Sequence, residues 1–215
     1  MARRAYEPEL DVPFKGVVFT LDAIAVPGRV SRRARLRHRK VLRAWEQAVM
    51  AAREAPARVA TLEDDAARAA GVDVERLRQA LREATPRLQA FEGLTTLLTA
   101  MDRHDLPRAL VSDRAPPLGQ LGAARGWTKV VVGEELGCLR PHSGLLAPIA
   151  DELGVPTDQL VVVGAGPLDE AFATAAGCPL LLRDRDWAGL AAVGRKLLGG
   201  TWAGYTRQMR GSSMR

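Results

Sequence analysis

Five consecutive residues, Leu160-Val161-Val162-Val163-Gly164, carry no polar side chain. A strand exposed on one side alternates apolar with polar residues. A strand apolar on both faces must be covered from both sides, as in a parallel sheet sandwiched by helices. The neighbouring segments agree. Val17-Val18-Phe19 opens a strand read over 16–22, and Arg108–Ser112, Val130–Val132 and Pro179–Arg183 read as further strands. Helices are read between them over 91–104, around 117–126, and over 145–154, Leu168–Ala176 and Trp187–Leu198. From residue 91 onward strand and helix alternate, which predicts an α/β fold with a parallel sheet and right-handed crossovers.

Residues 27–88 break that alternation. Pro27 and Gly28 end the first strand region, and only helical spacing follows. Leu36, Val41, Leu42, Trp45, Val49 and Met50 recur at helical intervals. A second helix is predicted from Thr61, with Glu63, Asp64 and Asp65 suited to its positive end. A third is predicted over 73–84, interrupted by Pro86. The division is therefore a core of residues 1–26 and 89–198, a helical insertion at 27–88, and a flexible basic tail at 199–215.

The chain has 215 residues, 47% hydrophobic and 26% charged, enough to bury a full core. No run of eighteen apolar residues suggests a membrane span, and the first ten residues lack a signal-like apolar stretch. Cys138 and Cys178 have neither metal-ligand nor disulfide-framework spacing. They read as buried thiols, and a cytoplasmic location is expected.

Motifs at the strand ends suggest the chemistry. Thr20-Leu21-Asp22-Ala23-Ile24 follows the first strand, and Ser112-Asp113 follows Leu110-Val111. Gly137-Cys138-Leu139-Arg140-Pro141 precedes the helix at 145–154, and Gly164-Ala165-Gly166-Pro167-Leu168-Asp169 follows the apolar strand. In order and spacing these resemble the four motifs of the haloacid dehalogenase-like (HAD) superfamily. The helical insertion is similar to the cap of its phosphoglycolate phosphatase and β-phosphoglucomutase-like branch. The resemblance implies a Rossmann-like core with a parallel sheet flanked by helices, plus an inserted helical cap.

It also implies a damaged site. In the family the first motif carries two aspartates, a covalent nucleophile and a general acid and base; the positions here are Thr20 and Asp22. The Ser or Thr that donates to phosphoryl oxygens is matched by Ser112, followed by Asp113 where Asn is usual. The motif III lysine is matched by Arg140, whose planar fork is not a compact ammonium. Of the two acids that hold magnesium in motif IV, the first is Ala165 and the second Asp169. Threonine without an activating base is a poor nucleophile, and two metal carboxylates are gone. A lost magnesium site, no cofactor and no hydrolysis are expected. Arg140 is then free to pair with Asp22, Asp113 or Asp169, and Asp169 to cap its helix.

The remaining signal is charge. The formal net charge is +6, carried almost wholly by arginine. Eight cations fall within residues 29–43, with Arg32, Arg35, Arg39 and Arg43 at near-helical spacing. Such a run suits an acidic protein surface or nucleic-acid phosphates, although no aromatics interleave it for base stacking. A solvated face balanced by Glu63, Asp64, Asp65, Glu75 and Glu83 is the plain alternative. Trp202 and Tyr205, beside Arg207 and Arg210, resemble an interaction peptide. The expectation is a protein-binding, scaffolding or regulatory subunit with a protein partner. Residual phosphohydrolysis on small metabolites and nucleic-acid binding through 29–43 are the alternatives.

Overall fold

The computed structural model describes residues 14–28, 31–84, 87–121, 126–183 and 189–199. Strand β1 (Gly16–Thr20) runs into a helical turn, α1 (Leu21–Ile24), and a short strand, β2 (Ala25–Pro27). Helices α2 (Arg32–Arg37), α3 (Arg39–Glu54), α4 (Leu62–Ala70) and α5 (Val74–Ala84) follow. Strand β3 (Leu88–Ala90) then returns antiparallel to β2. The rest of the chain runs α6 (Leu94–Arg103), β4 (Arg108–Ser112), β5 (Lys129–Val132), α7 (Gly133–Leu136) and α8 (Ala147–Leu153). It continues through β6 (Leu160–Gly164), α9 (Pro167–Ala176), β7 (Leu180–Leu182) and α10 (Gly189–Leu198).

The main sheet has the order β5-β4-β1-β6-β7, with every pairing parallel. β1, β4 and β6 are buried along their whole length, their apolar centres covered on both faces. Side chains alternate across the sheet with period two. Val17, Phe19, Leu110, Val161 and Val163 meet α6 and α10 on one face. Val18, Ala109, Val111 and Val162 meet Ile149 of α8 and Phe172 of α9 on the other. Phe19 also receives the edge of Trp127 at 5.7 Å and 71°, a geometry worth about 0.5–1.5 kcal/mol beyond its buried area. This is the predicted Rossmann-like α/β architecture.

Helices α3, α4 and α5 form their own small core. Ala66, Ala67, Leu77 and Leu81 pack with Val41, Leu42 and Trp45. A second cluster of Ala52, Val59 and Leu62 takes in Leu139 from the α/β core, so the two parts share apolar contact. The β2–β3 ribbon carries the chain out and back. Gly28 closes it by donating its N–H to the Arg87 carbonyl at 2.8 Å, and a Cβ there would lie 2.7 Å from that oxygen.

Three local expectations change. β1 ends at Thr20 and not at residue 22, because the chain turns into α1 and lifts Asp22 out of the sheet. The helix expected around 117–126 is absent over 118–121, where turns follow Pro116 and Pro117. The helix expected from Leu36 to Met50 is two helices meeting at His38, whose φ of −102° and ψ of 13° leave the helical region. The β2–β3 ribbon, too short to show alternation, is an addition. Trp187 and the tail residues 200–215, with Trp202 and Tyr205, lie outside the described residues, as does Arg29.

Candidate functional site

Parallel strands bind ligands beyond their carboxyl ends, where neighbouring connections diverge. β1 lies between β4 and β6, and the following chain departs to opposite sides. The register sets Thr20 beside Val111 and Phe19 beside Val163, so Thr20, Ser112 and Gly164 finish adjacent strands. Tertiary pairing thus gathers the four dispersed motifs in one place.

At its centre is the Arg140 guanidinium, whose side chain is 5% exposed. Nη1 donates to Asp169 Oδ1 at 2.5 Å and Nη2 to Asp22 Oδ2 at 3.0 Å. Nε and the backbone N–H donate to Asp113 Oδ1 at 3.2 and 3.0 Å, and Nη2 also reaches Asp113 Oδ2 at 3.3 Å. All three acids left open by the sequence are therefore engaged at once. Burial opposes the charge on Arg140, but attraction from Asp113, Asp22 and Asp169 prevails and raises its pKa above the ordinary arginine value. Burial likewise opposes the charge on Asp113, yet Arg140 and a hydrogen bond from Arg53 hold its carboxyl below the usual range.

Thr20 is wholly buried and donates its hydroxyl to Asp169 Oδ2 at 3.0 Å. The same oxygen accepts the Ala165 N–H at 2.7 Å. Asp169 sits in the first turn of α9, whose N-cap is Gly166, and its carboxylate reaches back past that cap. Its role is wider than the helix cap expected, since it ties β1, the β6–α9 turn and Arg140 together. Gly164 is required here, because a Cβ would lie 2.4 Å from Asp169 Cβ.

Two participants carried no signal in the sequence. Arg53, at the end of α3, donates to Asp113 Oδ2 at 3.0 Å and links the helical insertion to the core. Arg183 donates to the Asp22 carbonyl at 3.4 Å while stacking 3.7 Å over the Phe91 ring. Ser112 is 2% exposed, and its hydroxyl has no hydrogen-bond partner among the described residues.

The residues present do not fit a magnesium ion. Thr20 and Ala165 supply no carboxylate, both oxygens of Asp169 and of Asp113 accept hydrogen bonds, and a guanidinium stands among the acids. Among the described residues no group of three or more His, Cys, Asp or Glu side chains is arranged to hold a metal.

Beside this network opens a cleft of about 610 Å³ between the helical insertion and the core. Leu21, Ser112, Arg114 and Pro117 line it from the core, and Glu63, Arg78, Leu81 and Arg82 from the insertion. Arg114 pairs with Glu134 at 2.9 Å and lies 4.7 Å over Trp45. Burial pushes the Glu134 carboxyl up despite that pairing.

The basic segment lies apart from this site. Arg32, Arg35, Arg39 and Arg43 are exposed and have no ion-pair partner among the described residues. Of the acids expected to balance them only Glu83 approaches, at 2.8 Å from His38 and 3.7 Å from Arg37. Glu63 and Glu75 pair with Arg78, and Asp65 with Arg68. Cys138 and Cys178 are free and buried. No helix among the described residues is long and apolar enough to cross a membrane.

The chain matches no protein-family model. It is 31% identical over 94 residues to the phosphoglycolate phosphatase of Escherichia coli (strain K12), a match covering 41% of this chain and 37% of that protein. It is 28% identical over 98 residues to the phosphoglycolate phosphatase of Yersinia pseudotuberculosis serotype I, covering 43% and 42%. The matched region thus spans well under half the length of these curated relatives. Among solved structures, a 2-haloacid dehalogenase from Pseudomonas syringae pv. Tomato superposes with a TM-score of 0.59 at 18% identity, covering 86% of this chain and 98% of its own. A putative phosphoglycolate phosphatase from Lactobacillus delbrueckii gives 0.52 at 14%, covering 86% and 92%. The chain thus has the fold of these haloacid dehalogenase-like structures and is similar in part of its sequence to phosphoglycolate phosphatases.

Proposed function

We propose that this chain is a HAD-fold protein that has stopped hydrolysing esters and works by binding, as a scaffolding or regulatory subunit. The observation that supports this most strongly is the Arg140 guanidinium held among Asp22, Asp113 and Asp169. A hydrolase needs a nucleophile that substrate can reach and a free cation to meet the phosphoryl charge. Here the nucleophile position is a buried threonine acting as a hydrogen-bond donor. The cation is consumed by internal carboxylates, and Asp113 adds negative charge where a phosphoryl group would arrive.

The surface supports a protein partner. α2 buries none of its residues, and it exposes Leu36 to 63% beside Arg32 and Arg35, which have no acidic partner among the described residues. An acidic surface with an apolar centre complements that face. The first test is hydrolysis of a phosphate-ester panel by the purified protein with magnesium. Turnover absent at every magnesium concentration is expected. Magnesium-dependent turnover that is lost in Asp22→Asn would overturn the reading. The second test compares partner capture by the wild type and by Arg32→Glu/Arg35→Glu/Arg39→Glu/Arg43→Glu after nuclease treatment. Loss of a stoichiometric acidic protein in the variant is expected. Capture that disappears with nuclease alone would instead assign the segment to nucleic acid.

A further inference from the structure

α2 is not part of the core of the helical insertion. None of its residues is buried, and Leu36 is 63% exposed. The apolar clusters of the insertion begin at Val41, so no residue of α2 enters them. The backbone joins α2 to α3 through one non-helical residue, His38. Side chains hold α2 at one point. Glu83, near the end of α5, places Oε2 at 2.8 Å from His38 Nε2 and 3.7 Å from Arg37 Nη1. Among the described residues, no other side chain of residues 31–38 makes an ion pair or a hydrogen bond. A short helix with no buried apolar face and one surface tie opens locally at low free energy.

A second observation concerns charge. Arg32, Arg33, Arg35, Arg39, Lys40 and Arg43 have no acidic partner among the described residues, so Glu83 is the one carboxylate there that reaches this basic run. Gln79 donates to Glu83 Oε1 at 3.0 Å and steadies the carboxylate from within α5. The hydrogen bond from His38 first, then that from Gln79, holds the Glu83 carboxyl below its usual range. His38 needs a proton on Nε2 for this contact, and the neutral ring can carry one, so no imidazolium is required. A carboxylate of the chain itself is thus seated at the edge of the basic face, where an acid of a partner would sit. Exposed ion pairs of this kind are weak, so an incoming carboxylate can displace it.

We propose that Glu83 is an autoinhibitory latch on this face. In the free protein it seats α2 against α5. An acidic segment of a protein partner takes its place on Arg37 and His38, and α2 then turns about His38 to bring Leu36 and its arginines onto that segment. The inference rests on the reading of residues 32–43 as the face for an acidic protein partner. It adds that the face is partly occupied before the partner arrives, and that removing the latch tightens binding although no contact to the partner is gained.

The test has two arms, both on the full chain, with thermal melts to confirm that each variant folds. The first is amide exchange at Arg35 and His38, whose N–H groups donate to the Ser31 and Ala34 carbonyls at 3.1 Å. Glu83→Ala should speed that exchange about two- to fivefold. Glu75→Ala, which removes equal charge from the same helix but breaks a pair with Arg78, should leave it unchanged. Equal rates in the wild type and Glu83→Ala overturn the seating of α2. The second arm is titration of fluorescent poly-L-glutamate at low salt. Glu83→Ala should bind it about two- to fivefold tighter than the wild type, and Glu75→Ala should gain less. In an Arg37→Gln/His38→Gln background the gain from Glu83→Ala should vanish, since the latch has nothing left to hold. Equal gains from the two alanine variants, or a gain that persists in that background, overturn the latch. If neither the wild type nor any variant binds poly-L-glutamate, the acidic-partner reading falls and the displacement of Glu83 with it, whereas the exchange arm judges the seating of α2 by itself. Tighter binding of polyuridylate than of poly-L-glutamate would assign the face to nucleic acid and overturn the choice of partner.

Discussion

Replacing Arg140 with methionine tests the central network directly. Methionine fills a similar volume and removes the charge. Asp169, 3% exposed, and Asp113, 14% exposed, then lose their shared counter-ion. Asp22, 60% exposed, loses little because water screens it. Breaking a buried pair by deleting one partner costs about 3–5 kcal/mol. In a chain of this size each kcal/mol moves the melting temperature by about 2–4 °C, so the expected drop is about 6–20 °C. Adding Asp113→Asn and Asp169→Asn should restore more than half of the loss, since the penalty is uncompensated charge and not lost volume. The pH dependence supplies a sign. In the wild type the Asp113 carboxyl lies below its ordinary value of 3.8, so its stabilisation is full above that value and is lost as pH falls from there through the lower value of the folded state. In Arg140→Met the buried carboxylates gain by protonation, so the deficit against wild type should shrink on acidification. Thermal and denaturant melts between neutral and acid pH read both effects. An unchanged melting temperature in the single variant, or no recovery in the triple, would refute the account of the network.

Thr20→Asp alone should destabilise the protein by about 3–5 kcal/mol, because it sets a second carboxylate against buried Asp169 in place of a donor at 3.0 Å. Adding only Ala165→Asp should not confer magnesium-dependent stabilisation. Adding Arg140→Lys and Asp113→Asn as well should, and calorimetry in magnesium distinguishes the two. Arg53→Met should cost about 1 kcal/mol, given partial exposure of the Arg53–Asp113 pair, and should speed amide exchange across α3. Burial raises the Cys178 thiol to about 11, so at pH 8 its alkylation in the native protein should be far slower than in denaturant.

The relation between sequence and structure differs from one feature to the next. The unbroken apolar runs at Val17–Phe19 and Leu160–Gly164 specify strands covered on both sides, because burial is written into side-chain type. With them came the α/β alternation and the strand-end placement of Thr20 and Ser112, with Asp169 in the first turn of the helix that follows β6. The helix expected at 117–126 gives way to turns over 118–121, behind Pro116 and Pro117.

What the tertiary structure decided was pairing. Sequence offered Asp22, Asp113 and Asp169 as partners of Arg140, and folding brings all three to it. Arg53 reads as one more arginine on an amphipathic helix until its neighbour across the domain boundary is known. Of the acids expected to neutralise residues 29–43, Asp65 pairs with Arg68, and Glu63 and Glu75 with Arg78, Glu63 also reaching Arg114, while Arg82 and Arg87 have no side-chain partner among the described residues. Hydrophobic burial follows local periodicity, so the chain alone records it. Charge compensation depends on distances of about 3–4 Å between residues far apart in sequence, and only the folded arrangement fixes those.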